Sequence, residues 1–361
     1  MRIAIEATAA CRPVRTGIAV YTVRLIEALL DKVAPETGDT LRLGCRLSRF
    51  KHRRFRFQPP GVPSFWIQEP LWPIRPPADV LHGTDARVPA CRGVARVATV
   101  HDLGPLLFSE FSSPAFTRKL WQAYARLAAR CHRIVADSQA TRQDFLDRFD
   151  FPAERLDVVH LGVSPAFRPH APLELQALRA RHRLPQNYLL YVGQISRRKN
   201  TANLLAAYAA SPLRHDLPLV LAGAPTYRAA EELAALERLG IAGRVLTLGY
   251  LPEEDLPPLY GGAAAFLFPT SHEGFGLPIL EAMASGVPVV AGNVGASPEV
   301  AAGHAVLVNP RDPADIAAGI ERALTLPPAA REAARRHAAA FTWERCARAT
   351  RAVYLRAMEQ R

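Results

Sequence analysis

Short apolar, β-branched runs recur along the whole chain, each followed by a stretch with room for a helix, and this alternation constrains the fold more than any other feature. A strand followed by a crossover helix returns parallel to its predecessor, so repetition builds parallel sheets covered by helices on both faces. Strands are expected at Ile3–Glu6, Leu41–Gly44, Val80–His82, Val97–Val100, Ile134–Asp137 and Asp157–His160 in the first half. The second half repeats the scheme at Tyr188–Val192, Leu219–Gly223, Val245–Gly249, Ala264–Pro269, Val287–Ala291 and Ala305–Val308. Helices are expected between them, for example at Val20–Leu30 and Pro114–Cys131. A chain of 361 residues is too long for one ordinary domain and fits two of about 150–200 residues each. The break falls at Ser164–Pro185, a proline- and charge-rich stretch without a strand pattern. The sequence therefore divides into an α/β domain at 1–164, a linker at 165–185, a second α/β domain at 186–342 and a last helix at 343–361, with Val353, Tyr354 and Ala357 on one side.

Composition narrows the class without naming a function. Hydrophobic residues make up 49% and charged residues 22%, as in a globular protein with real cores. No stretch approaches the roughly 18 consecutive apolar residues of a membrane span. The opening MRIAIEATAA carries Glu6 inside its apolar run and reads as a first strand, not a signal peptide. The five cysteines (Cys11, Cys45, Cys91, Cys131, Cys346) are scattered, with no CxxC pair. They suit a reducing cytoplasm and core packing better than a disulfide framework or zinc site. The net charge of +12 is uneven: residues 1–170 hold 25 Lys and Arg against 16 Asp and Glu. A basic half attracts anionic lipid, nucleic acid or phosphorylated substrates. Arginine and alanine abundance also follows from a GC-rich genome, so charge alone decides nothing. Within that half, RLSRFKHRRFRF (46–57) interleaves cations with phenylalanine, and FWIQEPLWP (65–73) brings Trp66 and Trp72. An anionic membrane surface and a plain solvated strand edge fit this pattern about equally, and nucleic acid less well.

The most informative segment is PTSHEGFGLPILEAMASGVPVVAGNVGASPEV, residues 269–300. A buried strand closes at Phe266–Pro269, and Ser271–Gly276 forms a glycine-punctuated loop. Pro278 then stands in the first turn of a helix that Gly286 ends. The loop delivers a helix N-terminus whose N–H groups, around Gly276–Leu280, suit a diphosphate. Glu273 lies before this anion site and Glu281 about one turn into the helix. Carboxylates beside a phosphate site are unfavourable unless they bind hydroxyls, as on a sugar or a ribose.

Two further clusters carry chemistry. In YVGQISRRKN (191–200), Arg197, Arg198 and Lys199 open a helix. Cations at a helix start oppose the macrodipole unless an anion is shared there. Arg197 alone reads as a solvated surface charge. In VATVHDLGPL, His101 and Asp102 stand at the carboxyl end of a strand, where open α/β sheets bind ligands. A histidine there is as readily a satisfied structural residue as a functional one, and Asp102 reads as a loop support.

The spacing EGFGLPILE resembles the E-x7-E motif of the GT4 family of retaining glycosyltransferases. The likeness extends through ASGVPVVAGNVGASPEV and LGYLPEEDLPPLYGGAAAFLFPT, over most of the second half. It is nearest to bacterial mannosyl- and rhamnosyltransferases of surface-polysaccharide assembly. The resemblance implies a GT-B fold, two Rossmann-like domains with a ligand cleft between them and the last helix crossing back to the first. It implies that Glu273 contacts the donor sugar, Glu281 the ribose, and Arg198 and Lys199 the leaving diphosphate. It gives His101 a place near the donor sugar and makes RPVRTGIAVYTVRLI a glycine loop in which Gly17 meets phosphate and acceptor, although the residues alone fit a plain tight turn nearly as well. Gly274, Phe275, Gly276 and Leu277 complete the implied donor site. Many members have an arginine directly after the glycine of YVGQ, where this chain has Gln194.

No DxD signature for a divalent ion is present. The expected chemistry is metal-independent transfer of a hexose, with cations and helix N–H groups stabilising the departing phosphate and domain closure excluding water. No cofactor is expected beyond the nucleotide diphosphate sugar, for which GDP-mannose is the first choice and dTDP-rhamnose or a UDP-sugar the next. The expected acceptor is a glycan or polyprenyl-linked glycan, at the cytoplasmic face of the plasma membrane, without nucleic acid. The alternatives are a nucleotide-sugar epimerase on the same fold, or a non-catalytic polyanion- or membrane-binding protein on a transferase scaffold.

Overall fold

The computed structural model describes residues 1–11, 16–67, 77–108, 110, 112–225 and 229–361, with the backbone alone at Arg53. The loop residues Arg12–Arg15 and the stretch 68–76, with Trp72, lie outside the described residues. The chain forms two compact units. The first comprises 1–107, 113–162 and 342–361, and the second 163–341 together with 108–112.

The first unit holds a seven-stranded sheet in the order β3-β2-β1-β4-β5-β6-β7. Its strands are β1 (Arg2–Glu6), β2 (Thr40–Arg46), β3 (Ser64–Ile67), β4 (Val80–Gly83), β5 (Ala95–Val100), β6 (Arg133–Ala136) and β7 (Leu156–Val158). The second unit holds a six-stranded sheet in the order β10-β9-β8-β11-β12-β13. These are β8 (Leu189–Val192), β9 (Leu219–Ala222), β10 (Val245–Gly249), β11 (Ala265–Phe268), β12 (Val289–Gly292) and β13 (Val306–Val308). All pairings are parallel. Each sheet is doubly wound, as Rossmann-like domains are, and reverses its winding once, between β1 and β4 and between β8 and β11. Ligands of such sheets bind outside the carboxyl ends of the strands at that reversal.

The strand residues explain the burial. β9, β11 and β12 read LVLA, AFLF and VVAG and are buried at every position, as strands covered by helices on both faces must be. In the first unit Tyr124 and Leu127, from the helix Pro114–Arg130, pack with Phe145 and Phe149 beneath β5 and β6. All five cysteines are buried and free, with Cys11 Sγ 3.4 Å from Cys45 Sγ.

The last helix, Trp343–Glu359, is capped by the Thr342 side chain, which accepts from the Arg345 N–H. It packs within the first unit through buried Val353, Tyr354 and Ala357. Arg348 pairs with Glu36 at 2.7 Å and Arg351 with Asp39 at 2.6 Å, and Asp39 also holds the N-terminal ammonium at 2.6 Å. The stretch read as a linker contains the helix Pro172–His182. Its Arg181 and His182 both reach Asp255 in the second unit. Its apolar residues form no stripe, since only Leu178 is buried and Leu173 is 76% exposed.

Candidate active site

At the carboxyl edge of the second sheet, beside the reversal between β8 and β11, the two clusters singled out in the sequence meet. Residues Arg197–Lys199 form a single 3-10 turn, whose start is capped by Ser196 accepting from the Lys199 N–H. The Lys199 ammonium lies over the Phe268 ring and donates to Glu273 Oε1 at 2.6 Å. Arg198 stands 3.7 Å from the same oxygen and donates to the His272 carbonyl at 3.4 Å. Both Lys199 and Glu273 are buried, so water screens the pair little. Backbone links hold the turn and loop together: the Ser271 N–H donates to the Arg198 carbonyl, and the Glu273 carbonyl accepts from the Ala296 N–H at 3.0 Å. The second contact explains Gly295. Its φ is +57°, and a Cβ there would lie 2.6 Å from the Glu273 carbonyl oxygen.

The loop ends at Gly276, whose φ of +99° suits glycine, and the helix Leu277–Ala284 begins without any side-chain cap. Pro278 stands in the first turn and has no N–H to offer, so the donors at this N-terminus are fewer than in an ordinary helix. Phe275 is buried with its ring 6.3 Å from Phe341, which leaves its backbone rather than its side chain for a ligand. Glu281 accepts a hydrogen bond from the Tyr260 hydroxyl at 2.9 Å. Burial, aided by the charge of Glu253 and opposed by the Tyr260 hydrogen bond, pushes the Glu281 carboxyl up to about 7.

In the first unit, His101 follows β5 and directs both ring nitrogens at acceptors. Nδ1 lies 2.6 Å from Asp137 Oδ2 and Nε2 2.8 Å from the Thr84 carbonyl oxygen. A carbonyl only accepts, so Nε2 carries a proton, and with Asp137 ionised the ring is an imidazolium. Burial works against that charge, but the Asp137 carboxylate outweighs it and holds the His101 pKa above its ordinary value. Asp102 accepts from the Gly104 N–H at 2.7 Å within its own loop. Gly17 opens the helix Gly17–Ala28, and among the described residues a Cβ there would meet nothing within 4 Å.

Asp137 and Tyr260 are site residues that the sequence reading passed over. The register Val100↔Ala136 makes His101 and Asp137 the next residues on neighbouring strands, so pairing the two expected strands would have found the contact. Tyr260 has no local signal; it stands in a short helix before β11 and meets Glu281 only in the fold. A third buried group lies at the same edge of the first sheet, where Arg46 pairs with Glu6 at 3.0 Å and stands 3.4 Å from Asp85. Burial, opposed by the Arg46 charge, pushes Glu6 up to about 7.

Two doubly wound units, one with a buried cation–carboxylate pair beside an uncapped helix start, describe the GT-B kind of glycosyltransferase. Family comparison agrees. Residues 176–340 match the family Glycosyl transferases group 1, and residues 15–167 match Glycosyltransferase Family 4. The chain belongs to these families and is a glycosyltransferase. It is 33% identical over 305 residues to the O-antigen chain mannosyltransferase B of Escherichia coli, covering 81% of this chain and 79% of that protein. It is 32% identical over 309 residues to the MMP alpha-(1->4)-mannosyltransferase of Mycolicibacterium hassiacum, covering 78% and 71%. In fold it resembles the sucrose-phosphate synthase of Thermosynechococcus elongatus, with a TM-score of 0.74 at 21% identity over 98% of each chain.

Proposed function

We propose that the chain transfers a hexose, mannose by first choice, from a nucleotide diphosphate sugar to a glycan or lipid-linked glycan, with retention at the anomeric carbon and without a metal. The observation that carries this reading is the buried Lys199–Glu273 pair at the carboxyl edge of β8 and β11. Lys199 and Arg198 supply fixed positive charge for a departing diphosphate, with backbone N–H groups of Gly274, Phe275, Gly276 and Leu277 beside them. Glu273 takes sugar hydroxyls and Glu281 the ribose. GDP-mannose as the donor rests on the likeness to mannosyltransferases.

The reaction is read as a front-face displacement. The bond from the anomeric carbon to the β-phosphate oxygen breaks, and the acceptor oxygen bonds to the face the phosphate leaves. The acceptor hydroxyl proton passes to the departing phosphate. His101 enters as a cation rather than as a free base, because Asp137 and Thr84 occupy both its ring nitrogens. A role for Gly17 in close approach to a ligand is supported by the open space at its Cα, since no contact among the described residues demands glycine there.

A panel of GDP-, UDP- and dTDP-sugars, assayed by thermal shift and product formation with chelator present, tests the reading. One donor that stabilises the wild type, is turned over with retained anomeric configuration, and loses both effects in Lys199→Ala supports it. A covalent glycosyl adduct trapped on Glu273 would refute the front-face step. Conversion of donor without any acceptor would favour the epimerase alternative.

Among the described residues no helix is long and apolar enough to cross a membrane. We place the acceptor at an anionic membrane surface, and two features of the first unit support this. The helix Pro114–Arg130 has no acidic residue, carries Arg118, Lys119, Arg126 and Arg130, and exposes Phe116 and Trp121. The turn Leu47–Phe55 exposes Phe50, which packs on Trp66, with Arg49, Lys51 and Arg54 nearby in sequence. Aromatic groups flanked by cations suit a lipid headgroup layer. Co-sedimentation with phosphatidylglycerol vesicles that is absent with neutral vesicles would support this placement, and equal behaviour towards both would remove it.

A further inference from the structure

Tyr260 lies in the short helix Leu256–Gly261, just before β11, and its side chain is fully buried. Its ring packs against Phe266, at 5.0 Å between centroids, and against Phe167, edge-on at 5.5 Å. Full burial against these two rings fixes where its hydroxyl points, and that is Glu281 Oε2, 2.9 Å away. A hydroxyl facing a carboxylate donates, so the bond fixes the plane of the carboxylate and favours its ionised form. Among the described residues it engages one lone pair of Oε2 and leaves Oε1 with both of its own. A ribose presents two adjacent hydroxyl donors, and only an ionised, correctly turned carboxylate accepts from both. A protonated one would donate where it must accept.

We infer that Tyr260 is the positioning residue that sets Glu281 for the ribose diol and so helps the site select ribonucleotides. The inference rests on the ribose role proposed for Glu281. The titratable groups acting on Glu281 are Tyr260 and Glu253, and with burial driving the carboxyl upward Tyr260 is the one that opposes it. Loss of the hydroxyl leaves Glu281 protonated to higher pH.

The test measures binding of GDP and UDP, each beside its 2′,3′-dideoxy analogue, between pH 6 and 9. The proteins are wild type, Tyr260→Phe and Glu281→Gln. In the wild type the better nucleotide should bind about 10- to 100-fold tighter than its dideoxy analogue, the worth of hydrogen bonds to a charged group. That preference should grow as pH rises through about 7. Tyr260→Phe should cut the preference several-fold and move its pH midpoint upward, with dideoxy binding unchanged. If Glu281→Gln keeps the full preference, or the wild type binds none of the probes, the ribose reading fails. If Glu281→Gln loses the preference while Tyr260→Phe keeps both preference and midpoint, that reading stands and the inference is overturned. Should Tyr260→Phe unfold, 3,5-difluorotyrosine placed at 260 keeps the packing and gives a stronger donor. It should lower the midpoint, and an unchanged midpoint would equally overturn the inference.

Discussion

The two units share one winding, yet their carboxyl edges are put together differently. In the second unit the charged groups come from two short, contiguous segments, 196–199 and 271–281, and each segment announces itself in the sequence. In the first unit the charged groups are single residues contributed by different strands: Glu6 at the end of β1, Arg46 at the end of β2, His101 after β5 and Asp137 after β6. One edge is organised by loops that hold a cation turn against a helix start. The other is organised by pairs across neighbouring strands. The lesson is that a ligand group carried on a loop can be found from its neighbours in sequence. One carried on a strand end is found only from its neighbours in the sheet.

The largest effect should come from breaking the second edge at its buried pair. Lys199→Ala removes fixed charge from the proposed leaving group and deprives Glu273 of its 2.6 Å partner. Loss of a preorganised electrostatic group of this kind costs on the order of 10²–10³ in kcat. Because Lys199 and Glu273 form one unit, Lys199→Ala combined with Glu273→Gln should fall well short of the product of the single losses. Steady-state kinetics on the four proteins, with melting temperatures alongside, would measure this. Fully multiplicative losses would show that the two side chains act separately.

The first edge should respond through pH as well as rate. Asp137→Asn removes the charge that holds His101 protonated, and the proposed cation is then lost at neutral pH. A drop in kcat/KM on the order of tenfold is expected, below the 10²–10⁴-fold of a group acting directly, because His101 itself remains in place. The sign of the stability effect follows from the raised His101 pKa. Stability from the pair is complete below the ordinary histidine pKa and is lost as pH rises through the higher folded value. Melting temperature against pH should therefore decline for the wild type above about 6.5, and that part of the decline should vanish in Asp137→Asn. Identical slopes would mean that His101 is neutral in the fold.

These two edges also mark what could be read in advance. Every strand expected from the sequence forms, within one or two residues at each end. Parallel strands buried on both faces leave uninterrupted apolar runs that a reader can see. The strand that went unforeseen, β3, is short and lies at the sheet edge, inside a segment dominated by cations and aromatics. The helix Pro172–His182 was hidden for the opposite reason, since it buries a single leucine and shows no stripe. At the site, Glu273 beside Lys199 was implied by motif likeness, but their mutual contact was not. His101 illustrates the limit best: its position was legible, whereas the partners that decide its charge were 17 and 36 residues away.

A smaller effect should separate loop geometry from charge within the second edge. Gly295→Ala adds a methyl group 2.6 Å from the Glu273 carbonyl oxygen, at a positive φ, without touching any charged atom. Relief requires the 271–276 loop to shift, at about 1–3 kcal/mol. The melting temperature should fall, and donor affinity with it, if the loop's exact seat matters. Lost stability with intact donor binding would show that the charges alone define the site.

The smallest effect falls at the outer end of the cation turn, where three successive basic residues provide an internal scale. Lys199 has a side chain 11% exposed and Arg198 20%, both against Glu273, whereas Arg197 is 44% exposed and meets Glu231 at 3.5 Å. Solvent screens the outermost pair, and such exposed pairs contribute about 0–1 kcal/mol. Arg197→Ala should therefore leave kcat and donor KM within about fivefold, the kinetic equivalent of the upper end of that small energy. Arg198→Ala should fall between it and Lys199→Ala. The three cations are adjacent in sequence and equal in formal charge, so composition predicts equal effects. A graded series in donor kinetics would tie function to burial against Glu273. If Arg197→Ala were as damaging as Lys199→Ala, the turn would be acting through its total charge, and the close pairing of Lys199 with Glu273 would cease to explain this edge of the protein.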